Sequence, residues 1–444
     1  MTLYVVKYSN NENMIVNKNY NKILLLKDFN LIISLIIKNE LIFNEAKEDV
    51  IIEKFPLNLK KLELIRIPNL LKNIKIPNYI ENLKVQLSFK DIEKGNFILD
   101  KIMPKINYNL KVLDLSNNRL LIKSGISKIK NINKLPQTLE ILNLNNNRIN
   151  TEGLESLIYI LPNNIKELYL EKNSINFTTG ICNKFPDSIK ILDLNTNNIT
   201  FIEKLLESLS NNIEILNLNN NDLKGFKNKE NSHLYKFPNK LKELNLECNY
   251  YLDSYITNKF PEKIKKLNIS NSDININLSK FPNNIEILNI SNIDNYKIIK
   301  NKILPKNLQR LDISNTYIIE LPNILPKNLK YINCKNTNII RKPILDNVEI
   351  DYNFDEINVT FVCEDCNNEI IMLDCRYREG LSGINYCEKC FNKNKIDKIN
   401  LNKIVTIYNN NWYCNVCEYS FCNNDIRKHI HYEDYDICMK CFKK

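Results

Sequence analysis

Thirteen of the 14 prolines stand directly after a Phe, Leu, Ile or Met, and after eleven of them the chain runs into a pattern of the form Leu-x-x-Leu-x-Leu-x-x-Asn-x-Ile. These eleven are Pro56, Pro77, Pro104, Pro136, Pro162, Pro186, Pro238, Pro261, Pro282, Pro305 and Pro326, and Leu209-Ser210 fills the step once. From Pro104 onward the step recurs every 21 to 32 residues, tightening to 21 to 23 over the last four intervals. A unit that short cannot bury its apolar face alone, so the units must stack on one another.

The strand of each unit carries an alternating apolar pair: Leu113/Leu115, Leu142/Leu144, Leu168/Leu170, Leu192/Leu194, Leu216/Leu218, Leu244/Leu246, Leu267/Ile269, Leu288/Ile290, Leu311/Ile313 and Ile332/Cys334. Alternation puts both members on one face, toward the core. Five residues after the first member stand Asn118, Asn147, Asn173, Asn197, Asn221 and Asn249, where an amide can satisfy backbone groups as the chain leaves the strand. The last four units place Ser272, Ile293, Thr316 and Thr337 there, so this polar ladder is expected to weaken toward the C-terminal end. Fainter units around Leu62/Leu64 and Leu83/Val85 bring the total to about twelve.

This pattern resembles the leucine-rich-repeat family in its short, proline-containing form, over residues 55–345. The resemblance implies an α/β repeat fold, a curved solenoid lined by a parallel sheet, with residues 1–54 capping its open end. Cys334 then takes a core slot as a small buried hydrophobe, while Cys182 and Cys248 are expected as free thiols. The residues flanking the inward pairs form the opposite face. One row runs Asp114, Asn143, Tyr169, Asp193, Asn217, Asn245, Asn268, Asn289, Asp312, Asn333. A polar row beside scattered Ile suits a protein or peptide partner better than a small apolar ligand, although Asn and Asp are also common there for structural reasons.

Composition removes several function classes. The chain holds 79 Asn but only 7 Gly and one Ala (Ala46), a skew that AT-rich codons account for. With so few glycines there is no GxGxxG and no GxxxxGK[ST], which argues against phosphate-cradling loops. Three histidines, His233, His429 and His431, leave little for triad chemistry. No catalytic activity is expected. The start of the chain lacks a basic segment followed by an apolar one, so no secretion is implied. Residues 23–43 are the most apolar stretch, but their longest charge-free run is nine residues, short of the ~20 that span a bilayer. The expectation is an intracellular protein, cytoplasmic or nuclear, with no membrane partner.

Ten of the 13 cysteines fall between Cys363 and Cys441, and in a chain without a secretion signal that density argues for metal over disulfides. Cys363-x2-Cys366-x20-Cys387-x2-Cys390 and Cys414-x2-Cys417-x20-Cys438-x2-Cys441 superpose at an offset of 51 residues. Each supplies two Cys-x2-Cys knuckles, enough to close a tetrahedral zinc shell with no open position for water, hence a structural site. Cys375, Cys422, His429 and His431 remain, the number of one further shell, or two packed Cys and two solvent-facing His with no metal. The expectation is two zinc ions, three if that site forms.

The last module resembles the ZZ-type zinc finger in Asp434-Tyr435-Asp436-Ile437-Cys438-Met439-Lys440-Cys441-Phe442, and the first ends similarly in Tyr386-Cys387-Glu388-Lys389-Cys390-Phe391. The family's intervening Cys pair is absent. Paired LIM-like or ribbon knuckles are the alternative. By the ZZ resemblance, Asp434 and Asp436, or Glu364 and Asp365 in the first module, receive a peptide amino group; otherwise they shape the knuckle.

Charge divides at the same boundary. Residues 1–350 carry 50 Lys+Arg against 36 Asp+Glu, a net +14, while residues 351–444 carry 12 against 15, a net −3. A basic array could bind nucleic acid, but no Lys/Arg cluster interleaves with aromatics, and that reading ranks below protein binding. The function expected is a non-catalytic interaction scaffold: one protein on the array, and a second protein or peptide on the tandem zinc modules at 357–444. A ubiquitin-ligase component or adaptor is the alternative. A RING cross-brace would want a His in its core, and none precedes Cys387 or Cys390.

Overall fold

The computed structural model describes residues 2–8, 13–17, 32–39, 54–66, 74–86, 109–118, 120, 135–177, 184–224, 235–252, 256, 259–272, 278–293, 304–316, 318, 321–322, 324–337, 339 and 347–352, and the backbone of nine short strands beyond. The chain divides into two compact units. The first comprises Met1–Asn295, Ile303–Leu311 and Leu325–Leu329; the second comprises Tyr296–Lys302, Asp312–Ile324 and Lys330–Lys444.

The first unit is a parallel-sheet solenoid. Its ladder begins at β3 (Ile32–Asn39), whose Leu35 and Ile37 pair with Leu62 and Leu64 of β4 (Lys61–Ile65). β1 (Thr2–Tyr8) and β2 (Asn13–Asn17) extend that edge antiparallel, β1 lying between β2 and β3. Ile32, Leu35 and Ile37 are fully buried, so the described part of the apolar stretch, Ile32–Asn39, is packed as strand; among the described residues no helix is long and apolar enough to cross a membrane.

From β4 the order follows the sequence: β5 (Asn82–Gln86), β6 (Val112–Asp114), β7 (Ile141–Asn143), β8 (Glu167–Tyr169), β9 (Ile191–Asp193), β10 (Ile215–Asn217), β11 (Glu243–Asn245), β12 (Lys266–Asn268) and β13 (Ile287–Asn289). The register repeats without slip, Leu113 on Leu142 on Leu168 on Leu192 on Leu216 on Leu244 on Leu267 on Leu288. Both members of every inward pair predicted from the sequence are buried. β14 (Arg310–Asp312) has the same three-residue form. In the second unit β15 (Tyr331–Asn333) pairs in parallel with β16 (Glu349–Asp351), with Ile350 opposite Ile332. Cys334 is fully buried, as its core slot requires.

The proline step has a definite job. The carbonyl of Pro56, Pro136, Pro186, Pro238, Pro261 or Pro326 accepts from the N–H three residues on, at 3.0 to 3.1 Å, and the residue so held is a buried Leu or Ile. Ser210 does the same for Ile213 at 3.4 Å. Proline costs nothing here because its missing N–H is not used. The apolar residue before it packs inward, and Phe237, Phe260 and Phe281 of successive turns lie with ring centroids 6.1 and 5.6 Å apart.

Helix appears where a unit is long enough. α1 (Thr151–Ile160) starts on Asn150, whose side chain accepts from the Gly153 N–H, and α2 (Glu203–Ser208) follows β9. Before Pro282 the described part of the return path holds a 3-10 turn, Leu278–Lys280.

Candidate functional site

The predicted asparagine ladder is continuous from Asn118 to Asn249. The Asn197 amide donates to Leu194 O in its own turn and to Leu170 O in the preceding one, both at 3.0 Å. Its carbonyl accepts from Ile175 N–H at 3.1 Å. Asn147, Asn173, Asn221 and Asn249 repeat this three-way link. Asn118 donates to Leu115 O and Val85 O. All six are buried. Past them the ladder thins as expected: Thr316 and Thr337 each donate only within their own turn, to Ile313 O and Cys334 O, and Ile293 has nothing to donate.

A second asparagine row was not legible in the sequence. The residue just before each ladder position holds a left-handed backbone, φ between 52° and 61°: Asn117, Asn146, Lys172, Thr196, Asn220, Cys248, Asn271, Asn292, Asn315 and Asn336. That conformation costs most side chains energy; glycine avoids the cost, and asparagine tolerates it best of the rest. In a chain with 7 Gly, Asn fills the slot seven times. The composition that reads as codon drift is therefore also in use. A groove of about 450 Å³ follows this row, with Lys172, Thr196, Asn220, Cys248 and Tyr250 in its wall. Burial first, then the Glu247 charge, pushes the Cys248 thiol up, away from a reactive thiolate.

The open face of the sheet lies opposite the core. In its central row the Asp or Asn side chain accepts from the N–H two residues on: Asp114 from Ser116, Asn143 from Asn145, Asp193 from Asn195, Asn217 from Asn219, Asn245 from Glu247 and Asn268 from Ser270, at 2.9 to 3.2 Å. Asn289, Asp312 and Asn333 do the same. This row is thus part of the turn as well as a surface. Tyr169 breaks it, and there the Glu171 N–H is taken instead by Asn145 of the preceding turn at 2.8 Å. The Tyr169 hydroxyl donates to Glu167 at 2.7 Å. Burial, then that bond and the charges of Glu167 and Asp193, push its pKa up to about 12. Burial also raises Asp193, with Glu171 adding to it.

The lysines at the start of the strands are largely occupied. Lys60 and Lys111 both reach Glu81, at 2.9 and 2.8 Å, and hold its carboxyl below the usual value, Lys111 foremost. Lys166 meets Glu140 at 2.8 Å, Lys265 meets Glu286 at 2.7 Å, and Lys190 and Lys242 flank Glu214. Most of these bonds link consecutive turns, so these lysines are paired with carboxylates along the array.

In the tail the backbone repeats with the cysteines. β17 (Thr360–Val362) pairs antiparallel with β18 (Glu369–Ile371), and β22 (Trp412–Tyr413) with β23 (Ser420–Phe421). Phe361 opposite Ile370 becomes Trp412 opposite Phe421, an offset of 51. β19 (Arg376–Glu379) pairs with β20 (Asn385–Cys387), and β24 (Arg427–Ile430) with β25 (Tyr435–Cys438). Arg376 opposite Cys387 becomes Arg427 opposite Cys438, again 51. β21 (Leu401–Ile404) adds to β19. Cys363 and Cys366 fall in the six residues linking β17 to β18, and Cα atoms of β17 and β20 come within 8 Å. His429 stands in register with Asp436. Cys363, Cys366, Cys390, Cys414, Cys417, Cys441, Cys375, Cys422, His431, Asp434, Glu364 and Asp365 lie outside the described residues, as does Cys182.

No protein-family model matches the chain, and no curated protein matches it. Solved structures do. CroV588, a circular leucine-rich-repeat structure, aligns at TM-score 0.42 and 18% identity over 67% of this chain. An internalin (InlF) from Listeria monocytogenes aligns at 0.40 and 16% over 65% of this chain and 82% of its own. The Toll–Spatzle complex of Drosophila aligns at 0.43 and 15% over 65%. This chain spans 39% of the CroV588 chain and 38% of the matched chain of the Toll complex. The architecture itself rests on the strands and registers above.

Proposed function

We propose that the protein is a non-catalytic interaction scaffold whose repeat array holds a protein partner on the open face of the sheet. The observation that carries this is that face itself: a regular row of half-buried Asp, Asn and Tyr beside Ile141, Ile191, Ile215 and Ile287, with no element of the first unit packed over it among the described residues. Such a mixed polar and aliphatic surface matches the make-up of a protein interface. Nucleic-acid binding is disfavoured by the Lys–Glu links between turns, which leave fewer lysines to displace counterions from phosphates.

The tail is proposed to be a pair of duplicated metal modules. Cys363, Cys366, Cys387 and Cys390 would hold one zinc and Cys414, Cys417, Cys438 and Cys441 a second. The support is the agreement between two independent periods: the strand registers and the cysteine spacing share the offset of 51. Eight thiols in four Cys-x2-Cys pairs suit closed tetrahedral sites, which contribute folding energy rather than chemistry. Cys375 and Cys422 break the period, since Ile426 and Ile371 stand at their equivalents, so a third site from Cys375, Cys422, His429 and His431 lacks that support. By the ZZ resemblance, Asp434 and Asp436, with Glu364 and Asp365, would receive a second peptide.

Affinity capture with the full chain, compared with a variant carrying Ile191→Arg and Ile287→Arg on the open face, tests the scaffold reading. Partners lost with the variant and kept with Lys190→Glu at the strand start support it. Equal loss from both would place the contact elsewhere.

A further inference from the structure

Charge on the open face does not follow the charge of the array. Residues 1–350 carry a net +14. Yet the three face rows of β6 to β11, the strand positions and the residue two beyond, hold six carboxylates, Asp114, Glu167, Glu171, Asp193, Glu243 and Glu247, and no Lys or Arg. The two ends of this stretch are answered from outside it. Lys84 reaches Asp114 at 3.2 Å and Lys266 reaches Glu243 at 2.7 Å, while Glu247 accepts from Asn268 at 3.0 Å. In the middle, Glu167 is bonded to the Tyr169 hydroxyl at 2.7 Å. Asp193 holds its own turn and is met by the Asn217 side chain, and among the described residues Glu171 meets the neighbouring Lys172, at 3.3 Å, and the Asn145 amide, at 3.4 Å. Three half-buried carboxylates thus stand on the same and the adjoining strand as Tyr169, flanked along the first row by Ile141, Ile191 and Ile215.

We infer that the open face from β7 to β10 docks an extended basic segment of a protein partner, a Lys or Arg reaching Glu167, Glu171 and Asp193 beside the Tyr169 ring while an aliphatic neighbour covers Ile191. The inference deepens the scaffold reading and rests on it. Four strands at about 4.8 Å spacing span roughly 14 Å, the length of four extended residues at ~3.3 Å each. A cation there gains from carboxylates already partly withdrawn from water and from the face of the ring. The same potential repels acidic segments and nucleic acid, so it selects among partners as well as holding one.

The repeat supplies its own controls. Asn143 and Asn217 stand where Asp193 does and make the same turn bond, and Asn145 and Asn195 stand where Glu171 does. The variant Glu167→Gln, Glu171→Asn, Asp193→Asn therefore removes three charges, with residues the neighbouring turns already use at 171 and 193 and an amide of the same shape at 167. The full chain is immobilised and panned against a displayed library of random linear peptides. Recovered peptides rich in Lys or Arg with aliphatic neighbours, whose affinity falls roughly 30-fold or more on the triple variant, are the expected result. Recovered peptides without basic enrichment, peptides that bind the triple variant equally, or a library that yields none would each overturn the inference. A triple variant that melts as the parent does, yet still captures the partner lost with the Ile191→Arg, Ile287→Arg variant, overturns this placement and leaves the scaffold reading standing.

Discussion

At the scale of single residues, one amino acid performs two tasks that cannot be exchanged. Asn197 stitches two turns together, and truncation to Ala removes its bonds to Leu194 O, Leu170 O and Ile175 N–H and leaves that N–H buried and unanswered, while the two carbonyls keep the Asn221 and Asn173 amides. Asn197→Ala should cost roughly 3 kcal/mol or more in urea unfolding, whereas Thr316→Ala, losing one bond within its own turn, should cost about 1 kcal/mol. Cys248 sits in a left-handed slot that Asn fills elsewhere, so Cys248→Asn should stabilise by about 1 kcal/mol. Tyr169 supplies a pH signature. Its hydroxyl ionises near 10 when unfolded and about 12 when folded, so the folded state retains a proton the unfolded state has lost between those values. The contribution is fully present below pH 10 and declines as pH rises toward 12. Burial raises Tyr79 and Tyr352 as well, so ultraviolet titration should find several tyrosines ionising late, and Tyr169→Phe should remove the component near pH 12. The ladder asparagines were readable because their period matches the leucines. The left-handed row was not, because it is fixed by backbone angle, and Lys172, Thr196 and Cys248 hide it.

At the scale of elements, the strands were legible and the returns were not. Alternating Leu pairs set β6 to β15 to within a residue, since a one-residue slip would turn every Leu to solvent. α1 and α2 depend on how many residues are left between the ladder Asn and the next proline step, a quantity no local motif states. β16 has no proline step and a single Ile350, so it emerges only from its pairing with β15. Replacing Leu192 and Leu194 of β9 with Asp places two carboxylates among fully buried neighbours. The expected result is loss of protection in β8 and β10 together with β9 by hydrogen exchange, because each turn buries its face only against the next. Exchange unchanged outside β9 would show that the turns do not depend on one another.

For the whole molecule, the prediction concerns how its parts part company. If zinc supplies the folding energy of the tail, elemental analysis should find two metal ions per chain, and less than one after reconstitution would sink the metal reading. Chelation should then abolish structure in residues 357–444 and leave the circular-dichroism signal of the array in place; collapse of the array as well would mean the tail caps it. The tail was legible as a motif through cysteine spacing. Its duplication in the backbone came from strand registers, since Thr360–Val362 and Trp412–Tyr413 have no residue in common that a reader of the sequence would align.

The amide links that cross from turn to turn also bear on what happens under tension. From β6 to β11 each turn is fastened to the one before it by a buried side chain as well as by the sheet, so a pull along the stack must break both at once. At Ser272 and Ile293 the second fastening is missing: Ser272 reaches only Ser270 O in its own turn, and Ile293 reaches nothing. Stretched between its ends, the first unit should therefore give way at β12 and β13 first, yielding in short steps while the asparagine-laced turns hold, so that the face carrying Tyr169 keeps its form after its neighbours have been drawn out.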